Sequence, residues 1–457
     1  MTLQAFRDTL NVPNPTEFFR AGLIGEGMTL PNGKPLIYAD YVASGRALTQ
    51  VEDYITHHVL PFYANTHTDT SFTGAYSTKL REDARAEIAR LTKADECSVI
   101  FAGSGATAGL NRLVALTGIP QANNPVVFVG PYEHHSNILP WRESKATVIE
   151  IPEAEGGGPD LLVLEAALRE HEGADLKVGT FSAASNVTGV VTDTDPVTRV
   201  LKAHGALAIW DYAGGAPYLS IDMATGTDAE KDAVVLSAHK FPGGPSASGV
   251  LIVRDKAVRL DTPSWPGGGT VEFVSPWEHD YTDDIATREE AGTPNVIGDI
   301  RAALVFMVKD AIGQETITAR EHELNAMAFS GWADNPNMTM LGVDMPNRLP
   351  IFSFLVKDAE GKQIDPQVFT RELSERYGIQ ARGGCACAGP YGHRLLGIDR
   401  ETSDRLRVEI LGGNEAAKPG WVRLNFSYLM NDETAQFIVD SVNELTHEMA
   451  GTARKSA

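Results

Sequence analysis

The sequence predicts an α/β fold: a large, mostly parallel sheet with helices on both faces, followed by a smaller α+β domain. Three observations predict it. Short apolar runs bounded by Gly, Pro or Asp recur through the middle of the chain. Helical patterns separate several of them, and the last third changes to a different pattern. The 457 residues suffice for about two to four domains of roughly 150 residues each.

In chain order, Leu80, Ala84, Ile88 and Leu91 recur at three- and four-residue spacing and predict a helix over 77–93. The runs 125–129 (PVVFV), 147–151 (TVIEI), 176–181 (LKVGTF), 206–210 (ALAIW), 233–236 (AVVL) and 249–253 (GVLIV) read as strands buried on both faces. A helix is expected over 161–171. Another follows Asp195-Pro196, read as an N-cap with proline at the first helical position, and stops at Gly205. The Gly/Pro-rich stretch 261–298 is expected to carry the chain around the ligand-binding face of the large domain. An apolar run at 349–356 then precedes a helical stretch 365–377 closed by Gly378. The strand-like WVRLNFSYLM (421–430) precedes a final amphipathic helix carrying Phe437, Ile438, Val442, Leu445 and Met449.

With 39 Lys and Arg against 60 Asp and Glu, the net charge is −21. That excludes a nucleic-acid binder, which needs a basic footprint, and disfavours anionic membranes. Charged residues make up only 22% and apolar ones 43%, a globular balance rather than a disordered one. The three cysteines, Cys97, Cys385 and Cys387, are too few for a disulfide framework and fit a reducing compartment. No basic n-region precedes an apolar stretch at the N-terminus, and no run approaches about 18 apolar residues. A cytoplasmic enzyme without a membrane span is expected.

Asp211 and Lys240 each follow a strand run, on the edge of a parallel sheet where ligands bind. A buried lysine suits Schiff-base chemistry, and an acid that keeps a pyridinium nitrogen protonated is the other half of a pyridoxal 5'-phosphate (PLP) site. Taken alone, the pair could equally be two unrelated charges at the sheet rim. The neighbours add to it. GATAGLN (105–111) offers backbone N–H groups and the Thr107 hydroxyl to a phosphate at a helix N-terminus. Glu133-His134-His135-Ser136-Asn137 follows the strand 125–129; adjacent histidines point apart, so a ring stacking on a flat cofactor is the sharper reading than a zinc site, and no metal is expected. Ser185-Asn186-Val187-Thr188-Gly189 follows the strand 176–181, and the flexible loop Gly243–Ser248 follows Lys240.

These motifs, with AGTPN (291–295) and the Arg382…Cys387 loop, resemble the class V aminotransferase family of PLP-dependent fold-type I enzymes, in particular its cysteine desulfurase and selenocysteine lyase branch. The resemblance runs from Tyr38-Ala39-Asp40 to about Tyr428. It implies a seven-stranded sheet in a large PLP-binding domain over 31–305, a small C-terminal domain over 306–457, and an N-terminal segment, 1–30, packing with the small domain. It implies that Lys240 binds PLP covalently and moves the Cα proton, that Asp211 holds the pyridine nitrogen, that His134 stacks on the ring, and that Asn186 lies near the ring hydroxyl. Ala106 (through its backbone), Thr107, Ser237 and His239 would hold the phosphate. Thr293 would reach the phosphate of a neighbouring subunit, which implies a homodimer. Arg423 would clamp the substrate carboxylate, with Arg382 beside it, and Cys387 would be the nucleophile.

Two departures stand out. The family's glutamine three positions after the aspartate is Gly214 here, which offers no side-chain hydrogen bond. The segment 396–418 lengthens the spacing between Cys387 and Arg423, so the loop 383–397 is a candidate for a fixed rather than a mobile element. Cys385 is an extra thiol two residues before Cys387; the C-x-C pair has poor disulfide geometry, and buried, metal and redox readings compete with a catalytic one. Cys97 reads as core. The expected reaction releases sulfur or selenium from a cysteine-like amino acid to give alanine, with a sulfur-acceptor protein as a further partner. β-Elimination, epimerisation or transamination with idle thiols is the alternative. A non-catalytic PLP scaffold would not need Lys240, Asp211, His134 and Arg423 together. A dinucleotide-dependent oxidoreductase lacks its GxGxxG.

Overall fold

In the computed structural model, which describes residues 3–452, the chain forms two units. The first comprises the residues up to Gly22, Ser44–Ala183 and Thr192–Gln314; the second comprises Leu23–Ala43, Ala184–Val191 and the chain from Glu315 onward.

β-Branched runs build the first unit. Its seven strands lie in the order Cys97–Gly103, Gly249–Arg254, Ala233–Ser237, Leu207–Asp211, Leu176–Ser182, Pro125–Val129, Thr147–Glu150. Gly249–Arg254 runs antiparallel to both neighbours, and every other pairing is parallel. PVVFV, AVVLS and GVLIVR are buried at every residue, because helices cover both faces. Thr147–Glu150 departs from the expectation. It is the sheet's edge strand, and its four residues are exposed or half-buried rather than buried on both faces. Apolar composition alone does not separate an edge strand from a central one. The first strand, of which only Val99-Ile100 stood out in sequence, extends over seven residues.

The helix Phe72–Leu91 starts earlier than its apolar spacing predicts, because Ser71 caps it by accepting from Gly74 N. Leu80, Ala84 and Ile88 are fully buried on its inner face. The helix Thr194–Ala203 corrects the sequence reading: Asp193, not Asp195, is the N-cap, with its carboxylate accepting from Asp195 N. Pro196 still falls within the first turn, where its missing N–H costs nothing. Gly105–Leu116 packs Leu110, Leu113 and Leu116 onto the sheet beside Val127, Val178, Ile209 and Leu251. The stretch 261–298 is more structured than a connecting loop. It holds a hairpin (Val271–Val274 with His279–Tyr281), the helix Ile285–Glu289 and the start of the long buried helix Val296–Ile312.

In the second unit, Met338–Met340, Ile351–Val356, Trp421–Asn425 and Arg382–Gly384 form an antiparallel sheet in that order. Phe352, Phe354, Phe369, Trp332, Phe426 and Leu424 pack into its core with Ile438, Val442 and Leu445 of the helix Asp432–Thr452. Phe437 turns outward, so the core-facing stripe of this helix is narrower than the sequence pattern predicted. The helical stretch from Pro366 ends at Gly378, whose φ of +76° and approach to Pro35 leave no room for a side chain: a Cβ would lie 1.8 Å from the Pro35 carbonyl oxygen. Residues 396–418 contain the helix Arg400–Leu411, which buries none of its side chains. Among the described residues, no helix is long and apolar enough to cross a membrane.

Candidate active site

In the first unit, chemistry gathers at the carboxyl ends of the strands. Asp211 and Ser237 are the last residues of their strands, and the turn Ala238–Lys240 follows Ser237 directly. Asp211 is 4% exposed, and its carboxylate accepts from Ala213 N at 2.8 Å. Burial pushes its pKa up, and the Ala213 N–H and the charge of Lys240 pull it back toward the ionised form. A buried acid near a lysine is what a protonated ring nitrogen requires.

The helix Gly105–Leu116 begins against the same strand end. Ala106 N donates to Ser237 Oγ at 2.9 Å. Gly105 sits at φ +63°, where a Cβ would meet Ser237 Oγ at 2.8 Å and the His239 ring at 3.2 Å, so only glycine fits. Burial and then Lys240 lower the His239 pKa, which favours the neutral ring. Thr107 Oγ1 lies 2.7 Å from Ser136 Oγ, and Ser136 in turn bonds the His134 ring. Ser136 N can only donate, and it does so to His134 Nδ1 at 3.1 Å, so a neutral His134 carries its proton on Nε2.

Glu133 is the residue that sequence reasoning passed over within EHHSN. It is buried and accepts from Ser182 N and Ser182 Oγ, both at 2.7 Å, and from Asn137 Nδ2. Asn137 Oδ1 then accepts from Thr180 Oγ1 at 2.6 Å and Trp141 Nε1 at 3.2 Å. Burial, with the Asp211 charge adding to it and these hydrogen bonds opposing, pushes the Glu133 pKa up to about 8. Ser182 is the cross-strand partner of Asp211, so Glu133 holds the strand position beside that buried acid. The only sequence signal for it was an acidic residue four positions after a buried strand.

The second unit carries an arginine pair braced by Asp40. Arg382 and Arg423 are directly opposite on adjacent antiparallel strands. Arg423 is 4% exposed and donates from Nη2 to Asp40 Oδ1 at 2.7 Å and from Nη1 to Asn186 O at 3.2 Å, while its buried Nε is unpaired. Arg382 donates from Nε to Asp40 Oδ2 at 3.0 Å. Burial lowers the Arg423 pKa despite Asp40, whereas the Asp40 hydrogen bond raises that of the more exposed Arg382. Sequence reasoning quoted Asp40 without giving it a task; the 342 residues between it and Arg382 hide the pairing.

Asn186 also donates from Nδ2 to the carbonyl of Ala386 at 2.7 Å, and its buried Oδ1 is unpaired. Ala386 and Ala388 are buried, whereas Cys385 and Cys387 are exposed, and Cys387 sits at φ +56°. The loop is therefore pinned between its two thiols. Cys97 is half-buried at the start of its strand, and burial pushes its thiol pKa up to about 11. Thr293 is exposed on the turn before Val296–Ile312, and among the described residues no hydrogen bond joins it to these groups. Those residues also contain no cluster of three or more His, Cys, Asp or Glu side chains able to hold a metal.

The model of the class V aminotransferase family matches residues 37–415, and the chain belongs to that family of PLP-dependent enzymes. The chain is 26% identical over 366 residues to a probable cysteine desulfurase of Halalkalibacterium halodurans, covering 79% of this chain and 86% of that protein. It is 28% identical over 367 residues to a probable cysteine desulfurase of Vibrio cholerae, covering 79% and 86%. A cysteine desulfurase of Thermococcus onnurineus is similar in structure, with a TM-score of 0.77 at 25% identity over 94% of this chain and 98% of that one. An Escherichia coli cysteine desulfurase in its S-sulfonic acid form shares the fold, with a TM-score of 0.73 at 22% identity over 96% and 100%. The first unit fits the cofactor: buried Asp211 answers a ring nitrogen, and the glycine-only junction of Gly105, Ser237 and His239 at a helix N-terminus answers a phosphate.

Proposed function

We propose that the protein releases sulfur from cysteine, or selenium from selenocysteine, to give alanine, with Cys387 receiving the chalcogen. The names of its relatives support the reading, and the observation that carries it is the thiol loop. Cys387 stands exposed while the residues on either side of it are buried and Asn186 grips the backbone at Ala386. A structural cysteine has no need of such a pedestal.

Lys240 would hold the cofactor, and its amine would move the proton at the substrate Cα. Asp211 holds the ring nitrogen, and the bound PLP supplies the electron sink for bond breaking at Cα. His134 would face the ring, with Nδ1 accepting from Ser136 N, and Asn186 would serve the ring hydroxyl with its unpaired Oδ1. Ala106, Thr107, Ser237 and His239 hold the phosphate. Arg423, oriented by Asp40, would bind the substrate carboxylate, and Arg382 shares that acid. Cys387, as thiolate, attacks the substrate sulfur.

The protein acts as a homodimer in the cytoplasm and hands sulfur to an acceptor protein. Support for the dimer comes from the hairpin after Thr270, where Trp277 is 89% and Val274 65% exposed, an apolar surface suited to a second copy, and from exposed Thr293. A fully active monomer in sedimentation would overturn it. Three free thiols fit a reducing compartment. The test of the reaction is product analysis of the holoenzyme against a panel of amino acids. Alanine with sulfane sulfur is expected; pyruvate with ammonia, or a keto acid alone, would assign the chain to eliminating or transaminating chemistry.

A further inference from the structure

We propose that Cys385 is a second sulfur carrier, charged by Cys387 and opening into a cleft of its own. The proposal rests on the sulfur-release reading above. Cys385 lines a cleft of about 720 Å³ in the second unit, walled by Leu395, Leu396, Ile398 and Leu406 and closed on one side by 415–420; Cys387 is not part of that wall. Part of this wall, from Leu396 to Lys418, is supplied by 396–418, the segment whose length departs from the family's spacing, and most of the rest by 363–367 and the thiol loop itself.

The two thiols have different surroundings. Cys387 lies close enough to Arg382 and Arg423 for a thiolate there to act on both guanidinium groups, whereas Cys385 opens on the cleft. Residues two apart have Cα atoms no more than about 7 Å apart, within reach of a thiol-to-thiol transfer once side chains rotate. The left-handed φ of Cys387 and the buried Ala386 between the thiols keep this spacing fixed while leaving both exposed. A disulfide across one residue is strained, so transfer of the outer sulfur is the reaction this spacing favours.

The step balances without an external oxidant or reductant. The Cys385 thiolate attacks the outer sulfur of the Cys387 persulfide. A new S–S bond forms on Cys385, the old one breaks, and Cys387 departs as a thiolate. The proton on the outer sulfur travels with it. Charge developing on Cys387 beside two guanidinium groups favours its departure, and the sulfur ends in the cleft.

The test reacts the holoenzyme with L-cysteine for a single turnover, alkylates it, and locates the added sulfur by tandem mass spectrometry of the tryptic peptide 383–394. The wild type should carry it first on Cys387 and then mainly on Cys385. Cys385→Ala should strand it on Cys387 and slow steady-state alanine formation at least tenfold. Alanine formed with sulfur remaining on Cys387 alone in the wild type would overturn the relay and leave the sulfur-release reading standing. Sulfur on Cys385 of Cys387→Ala would overturn the proposed order. Absence of both alanine and persulfide would remove the underlying reading, and the relay with it.

Discussion

The strand ends of the first unit and the thiol loop of the second hold reactive groups by opposite means. Asp211, Glu133 and Ser237 are buried; Asp211 accepts from the turn after its own strand, Glu133 from a neighbouring strand and Ser237 from a helix N-terminus. Their positions follow from sheet register. On the loop, the reactive side chains are exposed, and it is the residues between and after them that are buried and bonded. The first arrangement fixes charge in a medium where an error is costly; the second fixes the backbone and leaves the side chains free to meet a moving sulfur atom. In the proposed reaction the buried acids of the first unit would set charge, and the loop of the second would carry sulfur.

The sharpest way to break this division is at Lys240. Lys240→Ala should lower turnover by a factor on the order of 10⁴ or more, because covalent attachment and proton transfer are lost together. Borohydride reduction followed by peptide mapping should find the cofactor on Lys240 in the wild type. A label on any other lysine would contradict the assignment.

A smaller effect is expected at the arginine pair. Arg423→Lys keeps the charge and loses the planar fork that both Asp40 and a carboxylate can grip. KM for the amino acid should rise about 10- to 100-fold with kcat changed far less, the signature of lost uniform binding. An equal fall in kcat with unchanged KM would place Arg423 in the chemical step instead.

The smallest effect tests the buried acid. Exposed Glu133 would ionise near its ordinary value of 4.5, whereas burial pushes its pKa up to about 8. Between these values the folded chain retains a proton that the unfolded chain has lost, so stability is greatest below the window and falls as pH rises through it. Glu133→Gln removes the titration. The stability difference between pH 5 and pH 8, followed by denaturant unfolding, should shrink by up to about 3 kcal/mol. An unchanged pH slope would show that Glu133 is ionised when buried.

Much of this was legible in the sequence because buried parallel strands announce themselves as continuous apolar runs. Asp211 could be found by reading one residue past its run and Lys240 by reading four past its own. The class V resemblance supplied the roles that spacing alone left open. What stayed hidden has physical reasons. The edge character of Thr147–Glu150 depends on what covers it, which its own residues do not encode. The cap at Asp193 was masked by a second aspartate two residues on that reads equally well locally. Asp40 meets Arg423 across 383 residues, and no local period reports such a meeting. The hairpin at 271–281 was obscured by flanking glycines and prolines that read as loop.

The central claim, that sulfur leaves the substrate onto the loop thiol, is tested most directly by the alanine burst of Cys387→Ala. Holoenzyme mixed with L-cysteine in the absence of any other thiol should release about two alanines per active site in the wild type, because Cys387 can take up a second sulfur once it has passed the first to Cys385. In Cys387→Ala the burst should vanish while the cofactor stays bound. A burst of equal size in Cys387→Ala, or pyruvate in place of alanine from the wild type, would contradict the account.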